Sequence, residues 1–294
     1  MKRLFVMLVA MAIFSVSLLA GNVTKDVKVD FFNKLDVSYC FDVTVEKSAR
    51  EYLTITIDKE YEQYLVVDVR NGVLHIGIDT ERIPNGLLRN NGGKTFEAKV
   101  GVSDLTGIEM SGATSFYSDD KFGASRFVAK LSGASKVEKL VVDAVTGYFG
   151  VSGSSKMNLR GEIHECTVNA SSASKLNMDV VSRDVELDLS GSSKASVAGK
   201  YGELDVDVSG ASNCTLEGRV EALKIEGSGA SKINGEQMVA KNCEVDLSGA
   251  SSASVNVERY LEVDLSGASR LTYNRDVERL DVDDISGASS LKKR

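Results

Sequence analysis

The chain has 294 residues, of which 43% are hydrophobic and 26% are charged, and its formal net charge is −7. This composition is typical of a globular protein with a real hydrophobic core and excludes an intrinsically disordered chain. The acidic balance argues against nucleic acid and against anionic membrane surfaces as partners.

The first twenty residues have the pattern of a secretory signal peptide. Lys2 and Arg3 precede an uncharged run, residues 4–20, that is short for a membrane span and ends at the small residues Ala20 and Gly21. We therefore predict cleavage between Ala20 and Gly21, which leaves no membrane span in the mature chain. Export through the Sec pathway then places the protein in the periplasm, at the cell surface or outside the cell.

One residue favours an alternative to cleavage. Leu18 stands where a small residue is preferred before the cleavage site, so a retained N-terminal anchor is the competing interpretation. Lipid anchoring is not predicted, because the first cysteine, Cys40, lies far behind the apolar run.

Residues 21–105 are predicted to form a β-strand region that caps a longer repeat. The segments "LDVSYCFDVTVEK", "YLTITID", "YLVVDVRNGVLHIGID" and "TFEAKVGV" alternate apolar and polar residues, and Asn71 and Gly72 form a hairpin-type turn signal. We expect this region to cover the first turn of the repeat and to prevent its edge from pairing.

Residues 106–294 contain a repeat whose period is near nineteen. The motif SGAS, or a close variant of it, recurs at intervals of 18 to 21 residues, for example 19 between Ser190 and Ser209. The first serine of each motif, used here as its anchor, is Ser111, Ser132, Ser152, Ser171, Ser190, Ser209, Ser228, Ser248, Ser266 or Ser286. Repeats of this length indicate a stacked architecture.

Each motif is preceded by the alternation of a half-buried strand. In "VELDLSGSS", Val185, Leu187 and Leu189 point one way, while Glu186 and Asp188 point the other. Nineteen residues have no room for two helices, and no leucine-rich pattern is present. The sequence therefore predicts an all-β fold, a single-stranded right-handed parallel β-helix of about ten rungs, with the N-terminal region as its cap.

The SGAS motif is interpreted as a structural corner. Glycine at its second position adopts a left-handed conformation without steric cost, although Ser172 replaces it once. The closing serines, such as Ser212, Ser231 and Ser269, are placed to hydrogen-bond to the rungs above and below. The corner glycines are Gly112, Gly133, Gly153, Gly191, Gly210, Gly229, Gly249, Gly267 and Gly287.

Two charged columns flank the corners. The acidic column, two residues before each anchor, contains Asp188, Asp207, Glu226, Asp246, Asp264 and Asp284. The basic column, four residues after it, contains Lys136, Lys156, Lys175, Lys194, Lys232 and Arg270. Stacked like charges repel, and we expect the opposite column across the turn to offset that repulsion. The acidic column is also the candidate calcium site, because carboxylates are hard oxygen ligands; the alternative is a solvated face.

No catalytic constellation or cofactor site is predicted. Ser172 and Lys175 fit an S-x-x-K motif, but its partner motifs are missing and the match arises wherever the corner meets the lysine column. His75 and His164 are the only histidines and lack metal-ligand spacing.

No disulfide is predicted among the four cysteines. Cys166 and Cys243 occupy equivalent interior positions four rungs apart, roughly 19 Å at the strand spacing. A disulfide requires Cα atoms within about 7 Å. Buried thiols are therefore expected, and Cys40 is the residue for which a disulfide partner is the alternative.

The pattern "FFNKLDVSYCFDVTVEK", followed by "VRNGVLHIGI", "LTGIEMSGATSF" and the run of SGAS corners, resembles the putative auto-transporter adhesin, head GIN domain family of Gram-negative envelope proteins. The resemblance covers residues 27–289. It implies a single-stranded right-handed β-helix, and it supplies no established catalytic or binding residues.

The leading functional hypothesis is a non-enzymatic, exported adhesin or envelope interaction module that binds a glycan or protein partner through a charged solenoid face. One alternative is a β-helical polysaccharide lyase or glycosidase, against which the short loops and the absence of tryptophan argue. The other is a structural envelope protein, a homo-oligomer assembled end to end or by edge contact.

Overall fold

The computed structural model describes residues 13–19, 21–89, 92–274 and 276–294, and nearly all of them belong to β-strands or tight turns. Residues 1–12 and Ala20, and with them most of the predicted signal peptide and its cleavage site, lie outside the described residues.

The N-terminal strands are β1 (Ile13–Leu19), β2 (Asn22–Val27), β3 (Lys34–Val37), β4 (Asp42–Lys47), β5 (Tyr52–Asp58), β6 (Leu65–Arg70), β7 (Val73–Ile78), β8 (Phe96–Val102) and β9 (Gly107–Met110). A 3-10 helix (Glu62–Tyr64) and helix α1 (Asn85–Arg89) interrupt them. The repeat contains β10 (Ser115–Leu131), β11 (Lys136–Val151), β12 (Lys156–Ala170), β13 (Lys175–Leu189), β14 (Lys194–Val208), β15 (Asn213–Gly227), β16 (Lys232–Leu247), β17 (Ser252–Leu265), β18 (Arg270–Tyr273), β19 (Arg279–Ile285) and β20 (Ser290–Lys293).

The strands from β10 onward stack as the rungs of a parallel β-solenoid. Lys175 pairs in register with Lys194, and Lys194 with Asn213, so each rung lies one repeat of nineteen residues above the last. The solenoid has about ten turns, and the predicted parallel β-helix is confirmed.

The core fills the interior of this coil. Val185, Leu187 and Leu189 are buried, while Glu186 between them is exposed, as expected for a strand with one face inside. Because the same positions are apolar in successive rungs, their side chains form ladders that make one continuous core from the N-terminal region to Tyr273.

The SGAS motifs form stacked corners. Their glycines have φ between 68° and 77°, and Ser172 takes the same place with φ 65°. The corners hydrogen-bond directly to one another: the Ala211 N–H donates to the Gly191 carbonyl over 2.8 Å. A Cβ atom added to Gly210 would lie 2.6 Å from that same Gly191 carbonyl oxygen. The close stacking therefore favours glycine twice, through φ and through space.

The last serine or threonine of every SGAS corner except the final one, where Ser289 is half-buried, points inward and is buried. The Ser193 hydroxyl lies 2.7 Å from the Ser190 carbonyl oxygen and 3.1 Å from that of Ala170. The column contains Thr114, Ser135, Ser155, Ser174, Ser193, Ser212, Ser231, Ser251 and Ser269. Polar atoms thus run through the interior along the line of corners.

The N-terminal region continues the solenoid. Strand β3 pairs in parallel with β9, and β4 with β10, so the turn between β3 and β4 lies directly on the first SGAS corner. Tyr39 has φ 78° in this turn, and its carbonyl accepts the Ala113 N–H over 2.6 Å. Ser38, Tyr39 and Cys40 therefore form a further corner, which sequence analysis missed because neither glycine nor alanine marks it.

The two ends of the solenoid differ. At the N-terminal end, the strands β2, β5 and β8 on one side and β6 and β7 on the other extend beyond the first full rung, and Phe96 packs there against Tyr39, Phe41 and Tyr61. At the C-terminal end, β19 and β20 are outermost, and Val282 remains 43% exposed.

Candidate functional site

The outward-facing residues of the rungs form three faces. The acidic face consists of the strand segments that precede each corner, and it presents Asp188, Asp207, Glu226, Asp246, Asp264 and Asp284. The lysine face consists of the segments that follow each corner, and it presents Lys136, Lys156, Lys175, Lys194, Lys232 and Arg270. The third face lies between these two on the far side from the corners.

The acidic column stacks its carboxylates directly above one another. Asp188 pairs in register with Asp207, and Asp207 with Glu226. Partial burial raises the pKa of Asp207, and the carboxylates of Asp188 and Glu226 raise it further. Burial and then the neighbouring acids likewise raise the pKa of Asp246. The column therefore carries unfavourable like-charge interactions in the folded state.

A second column runs beside the first, four residues before each anchor. It contains Glu186, Asp205, Lys224, Glu244 and Glu262. Its single cation, Lys224, lies 2.8 Å from Glu226 of the first column. Sequence analysis did not single out this column, although the same alternation in "VELDL" and "CEVDL" contains it.

The acidic and lysine columns do not neutralise each other. Within the described ranges no ion pair joins a member of one column to a member of the other; Lys136, for example, pairs with Glu138 on its own face. The expected pairing across the turn is therefore wrong. The corner lies between the two columns, so the acidic side chains project from one face of the solenoid and the basic side chains from another.

On the third face, in contrast, ion pairs connect neighbouring rungs. Lys121 lies 2.6 Å from Asp143, and Arg183 lies 3.4 Å from Glu165. Lys241 pairs with Glu221 one rung away. Opposite charges on this face largely compensate each other, so the uncompensated charge of the solenoid is concentrated on the other two.

A groove of about 750 Å³ crosses several rungs of the lysine face. It lies beside a bulge in β11, where the register shifts against both neighbouring rungs, and Lys139 from this bulge lines it. Tyr117 and Lys139 form one wall, and Asn158, Asn177 and Ser196 form the floor. Sequence analysis did not single out this groove, although the interval from Ser132 to Ser152 is 20 residues, one longer than the 19 between the anchors that follow.

The six candidate calcium ligands lie in one line along the solenoid, one to a rung. In the described part of the chain, no group of three or more histidine, cysteine, aspartate or glutamate side chains is arranged to hold a metal ion. Calcium binding by this column stays a prediction.

The remaining reactive side chains lie apart from one another. No disulfide links the four cysteines, all of which fall within the described ranges. Burial raises the pKa of Cys166 and of Cys214 to about 12, so both thiols stay protonated at neutral pH. His75 lies 2.9 Å from Asp36, and His164 lies on the third face.

Over residues 31–200 and 178–276 the sequence matches the family described as putative auto-transporter adhesin, head GIN domain. The chain belongs to this family. Membership indicates a non-enzymatic, adhesin-like role and a location in the cell envelope or at the cell surface. No curated protein matches the chain.

Two crystal structures, each described as that of a putative adhesin, have a fold similar to that of this chain. A putative adhesin from Parabacteroides distasonis is 17% identical and superposes with a TM-score of 0.55 over 93% of this chain and 97% of that one. A putative adhesin from Parabacteroides merdae is 15% identical, with a TM-score of 0.54 over 93% and 96% of the two chains. At this identity the likeness concerns the fold alone.

Among the residues that the structure describes, no helix combines the length and the apolar character that crossing a bilayer requires.

Proposed function

We propose that the chain is a non-enzymatic protein, exported through the Sec pathway, that binds a glycan or protein partner through the charged faces on either side of its corners. The observation that carries the proposal is the separation of charge: the acidic column and the lysine column occupy different faces and do not pair with each other, while the third face is ion-paired. Such a surface offers electrostatic complementarity to a charged partner.

The acidic face is energetically unfavourable in the free protein. Stacked carboxylates repel at the strand spacing, and their raised pKa values show that folding places them in less favourable surroundings than water. A structural role alone would be served better by mixed charges, as on the third face. A cationic group of a partner would relieve this repulsion. The unfavourable electrostatic free energy of the free protein would then favour binding.

The first experiment tests location. An epitope-tagged copy is expressed in its native host, and protease is added to intact cells. We expect digestion of the tagged chain, as for a surface protein. Protection in intact cells, together with digestion after the envelope is opened, would place the protein inside the envelope and remove the adhesin role.

The second experiment tests the charged faces. The purified chain is screened against immobilised glycans and extracellular-matrix proteins, and each hit is repeated with Asp188→Asn/Asp207→Asn/Asp246→Asn and with Lys156→Gln/Lys175→Gln/Lys194→Gln. We expect one of the two variants to lose binding. The control, Glu162→Gln/Glu221→Gln/Glu258→Gln, changes the same number of charges on the third face.

The same screen separates binding from catalysis. A binder leaves each glycan intact, whereas a lyase or glycosidase would shorten it, and the activity would be lost on replacing one carboxylate such as Asp207 or Asp246. Turnover of any glycan by the wild-type chain would contradict the proposal.

A further inference from the structure

We infer that the groove on the lysine face binds a carboxylate-bearing glycan, with Tyr117 as the platform for a sugar ring and Arg160 as the partner of its carboxylate. This inference rests on the proposed function and specifies both a site and a ligand class.

The wall of the groove is held in place before any ligand arrives. The Tyr117 hydroxyl donates to Asp119 over 2.6 Å, and the Lys139 ammonium lies 2.8 Å from the same carboxylate oxygen. Tyr117 is 39% exposed, so part of its ring remains open to solvent. A fixed aromatic ring beside a groove suits stacking on the apolar face of a sugar, and its rigidity lowers the entropic cost of binding.

The floor of the groove is a ladder of neutral polar side chains. The Asn177 amide donates to the Asn158 side-chain oxygen over 2.7 Å, and the Asn158 amide donates to the Glu138 carbonyl over 2.8 Å. Ser196 continues the column on the next rung. Amides and hydroxyls both donate and accept hydrogen bonds, as the vicinal hydroxyl groups of a sugar do.

Two carboxylates, Glu138 and Asp179, also line the groove, and Asp179 is the register partner of Arg160 on the next rung. Cations nevertheless outnumber them around the floor. Arg160 lines the groove, and Lys156, Lys175 and Lys194 stand on successive rungs along its corner side. None of these four cations takes part in an ion pair within the part of the chain that the structure describes. A planar guanidinium is suited to bidentate recognition of a carboxylate. The ligand is therefore expected to be acidic.

A glycan fits this site better than a protein does. Protein interfaces concentrate their binding energy in buried apolar and aromatic anchors at the centre. Among the described residues, Tyr117 is the one large hydrophobic side chain that is both strongly exposed and part of the groove; the others lie elsewhere, such as Val145 and Val181 on the third face. Leu140, Leu159 and Met178, which also line the groove, are buried in the core, so Tyr117 is the one large apolar side chain there that a partner could use as an anchor.

The test measures binding of four hexasaccharides to the full purified chain by isothermal titration calorimetry. The probes are the hexamers of galacturonate, mannuronate and hyaluronate, with neutral maltohexaose as the uncharged control. We expect at least one uronate hexamer to bind and maltohexaose to bind at least about tenfold more weakly. High salt should weaken the uronate binding, because the charges are exposed.

Two variants locate the binding. Arg160→Gln and Tyr117→Ala should each weaken uronate binding about tenfold or more. The matched control Arg219→Gln removes an arginine from the third face and should bind as the wild type does. Circular dichroism of each variant checks that the fold is retained, and Tyr117→Phe tests whether the ring suffices when the hydroxyl is lost.

Three results would overturn the inference: no uronate hexamer binds the wild type, maltohexaose binds equally well, or Arg160→Gln and Tyr117→Ala bind unchanged. These results are distinguishable from failure of the proposed function. If the wild type captures a ligand in the wider screen and only the acidic-face variant loses it, the proposed function stands and the groove is not its site.

Discussion

The tightest steric constraints in this chain act on single glycines. The SGAS corners contain one column of them. A second set, Gly161, Gly199 and Gly218, lies at a bend on the far side of the coil in three of the rungs, with φ between 120° and 152°. A Cβ on Gly199 would overlap the carbonyl oxygen of Val180, whereas the nearest atom to a Cβ on Gly210 would be an oxygen 2.6 Å away. A side chain is therefore less well tolerated at the second bend than at an SGAS corner.

We predict that Gly199→Ala destabilises the protein more than Gly210→Ala. At Gly210, the cost of a left-handed non-glycine residue is about 1–2 kcal/mol, the Cβ also requires a small shift away from the Gly191 carbonyl oxygen 2.6 Å away, and Ser172 shows that a corner accommodates a side chain at this φ. At Gly199, the rungs must separate further, because the Cβ would overlap the Val180 carbonyl oxygen. Urea denaturation of both variants measures the difference, with Gly123→Ala, where a Cβ would meet open space, as the control. Equal destabilisation at both sites would contradict the steric argument.

The buried serines allow a comparison within one column. Ser193 hydrogen-bonds to two carbonyl oxygens, whereas the hydroxyl of Ser231 has no hydrogen-bond partner within the described residues. We predict that Ser193→Ala lowers the free energy of unfolding by about 1–2 kcal/mol, and that Ser231→Ala leaves it unchanged or raises it. Thermal and urea unfolding of the two variants check this order. A reversed order would show that the hydrogen bonds of a hydroxyl do not determine its contribution to the free energy of unfolding.

The sequence pattern predicted some of these turn residues and not others. The SGAS glycines repeat with small neighbours, so their spacing marked them as corners. The second-bend glycines alternate with Val142 and Val180 at the equivalent positions, and Tyr39 replaces glycine in the first corner. The residue type at these positions depends on contacts between neighbouring rungs, which cannot be read from the sequence of a single repeat.

At the scale of elements, the acidic face makes stability depend on pH. Burial and neighbouring carboxylates raise the pKa values of Asp188, Asp207 and Asp246 above those in the unfolded chain. The folded state then binds more protons in this window, so this contribution to stability is present at low pH and is lost as pH rises through the raised pKa values.

We predict that Asp188→Asn/Asp207→Asn/Asp246→Asn is more stable than the wild type at pH 7 and that this advantage shrinks towards pH 4. The expected gain is on the order of 1 kcal/mol, because partly exposed charges interact weakly. Urea unfolding curves at several pH values measure the difference between the two proteins, which cancels the titration of all other groups. A difference that does not vary with pH would show that repulsion in the column is negligible.

The outermost strands carry features that oppose edge pairing. Strand β19 is bulged at Asp283, where the register against β17 shifts. On β20, Lys293 occupies the place that Tyr273 and Val255 fill with buried side chains in the two preceding rungs. Bulges and charges at inward positions are devices by which proteins prevent strand edges from pairing. They argue against the end-to-end assembly considered from the sequence.

We predict that Lys293→Val combined with deletion of Asp283 makes the protein self-associate. The change would flatten the edge and extend the apolar ladder to the last rung. Sedimentation velocity across a wide concentration range should show monomer for the wild type and larger species for the variant, and Lys292→Val, on the outward side of the same strand, serves as the control. Concentration-dependent assembly of the wild type would show that these features do not protect the edge.

At the scale of the whole molecule, the period of nineteen was enough to predict the parallel solenoid, because every rung repeats the same alternation and the same corner. The groove was not predicted: the residue inserted near Glu138 lengthens the interval from Ser132 to Ser152 to 20, but that spacing alone does not reveal that β11 shifts against both neighbours beside a groove. The two charged columns were predicted from the sequence. The absence of ion pairs between them was not, because it depends on the directions in which the corner orients the side chains.

The unequal ends lead to a prediction about how the solenoid opens. In a stacked repeat, stability is close to a sum of rung and interface terms, so an end with fewer contacts unfolds locally first. The C-terminal rung leaves Val282 and Ile285 exposed, whereas Phe96 at the other end packs its ring against Tyr39, Phe41 and Tyr61 with centroid distances of 4.9 to 5.6 Å.

We therefore expect amide hydrogen exchange by mass spectrometry to be fastest in β19 and β20, and slowest in β13 to β15, where each rung has neighbours on both sides. Phe96→Ala should cost about 3–5 kcal/mol and speed exchange in β2 to β8 without changing β13 to β15, because the N-terminal aromatic cluster stabilises its own end. Val282→Ala, the control at the exposed end, should leave the N-terminal pattern unchanged. Uniform acceleration along the chain in Phe96→Ala would instead mean that the solenoid unfolds as one cooperative unit, in which the difference between its ends has no consequence for opening.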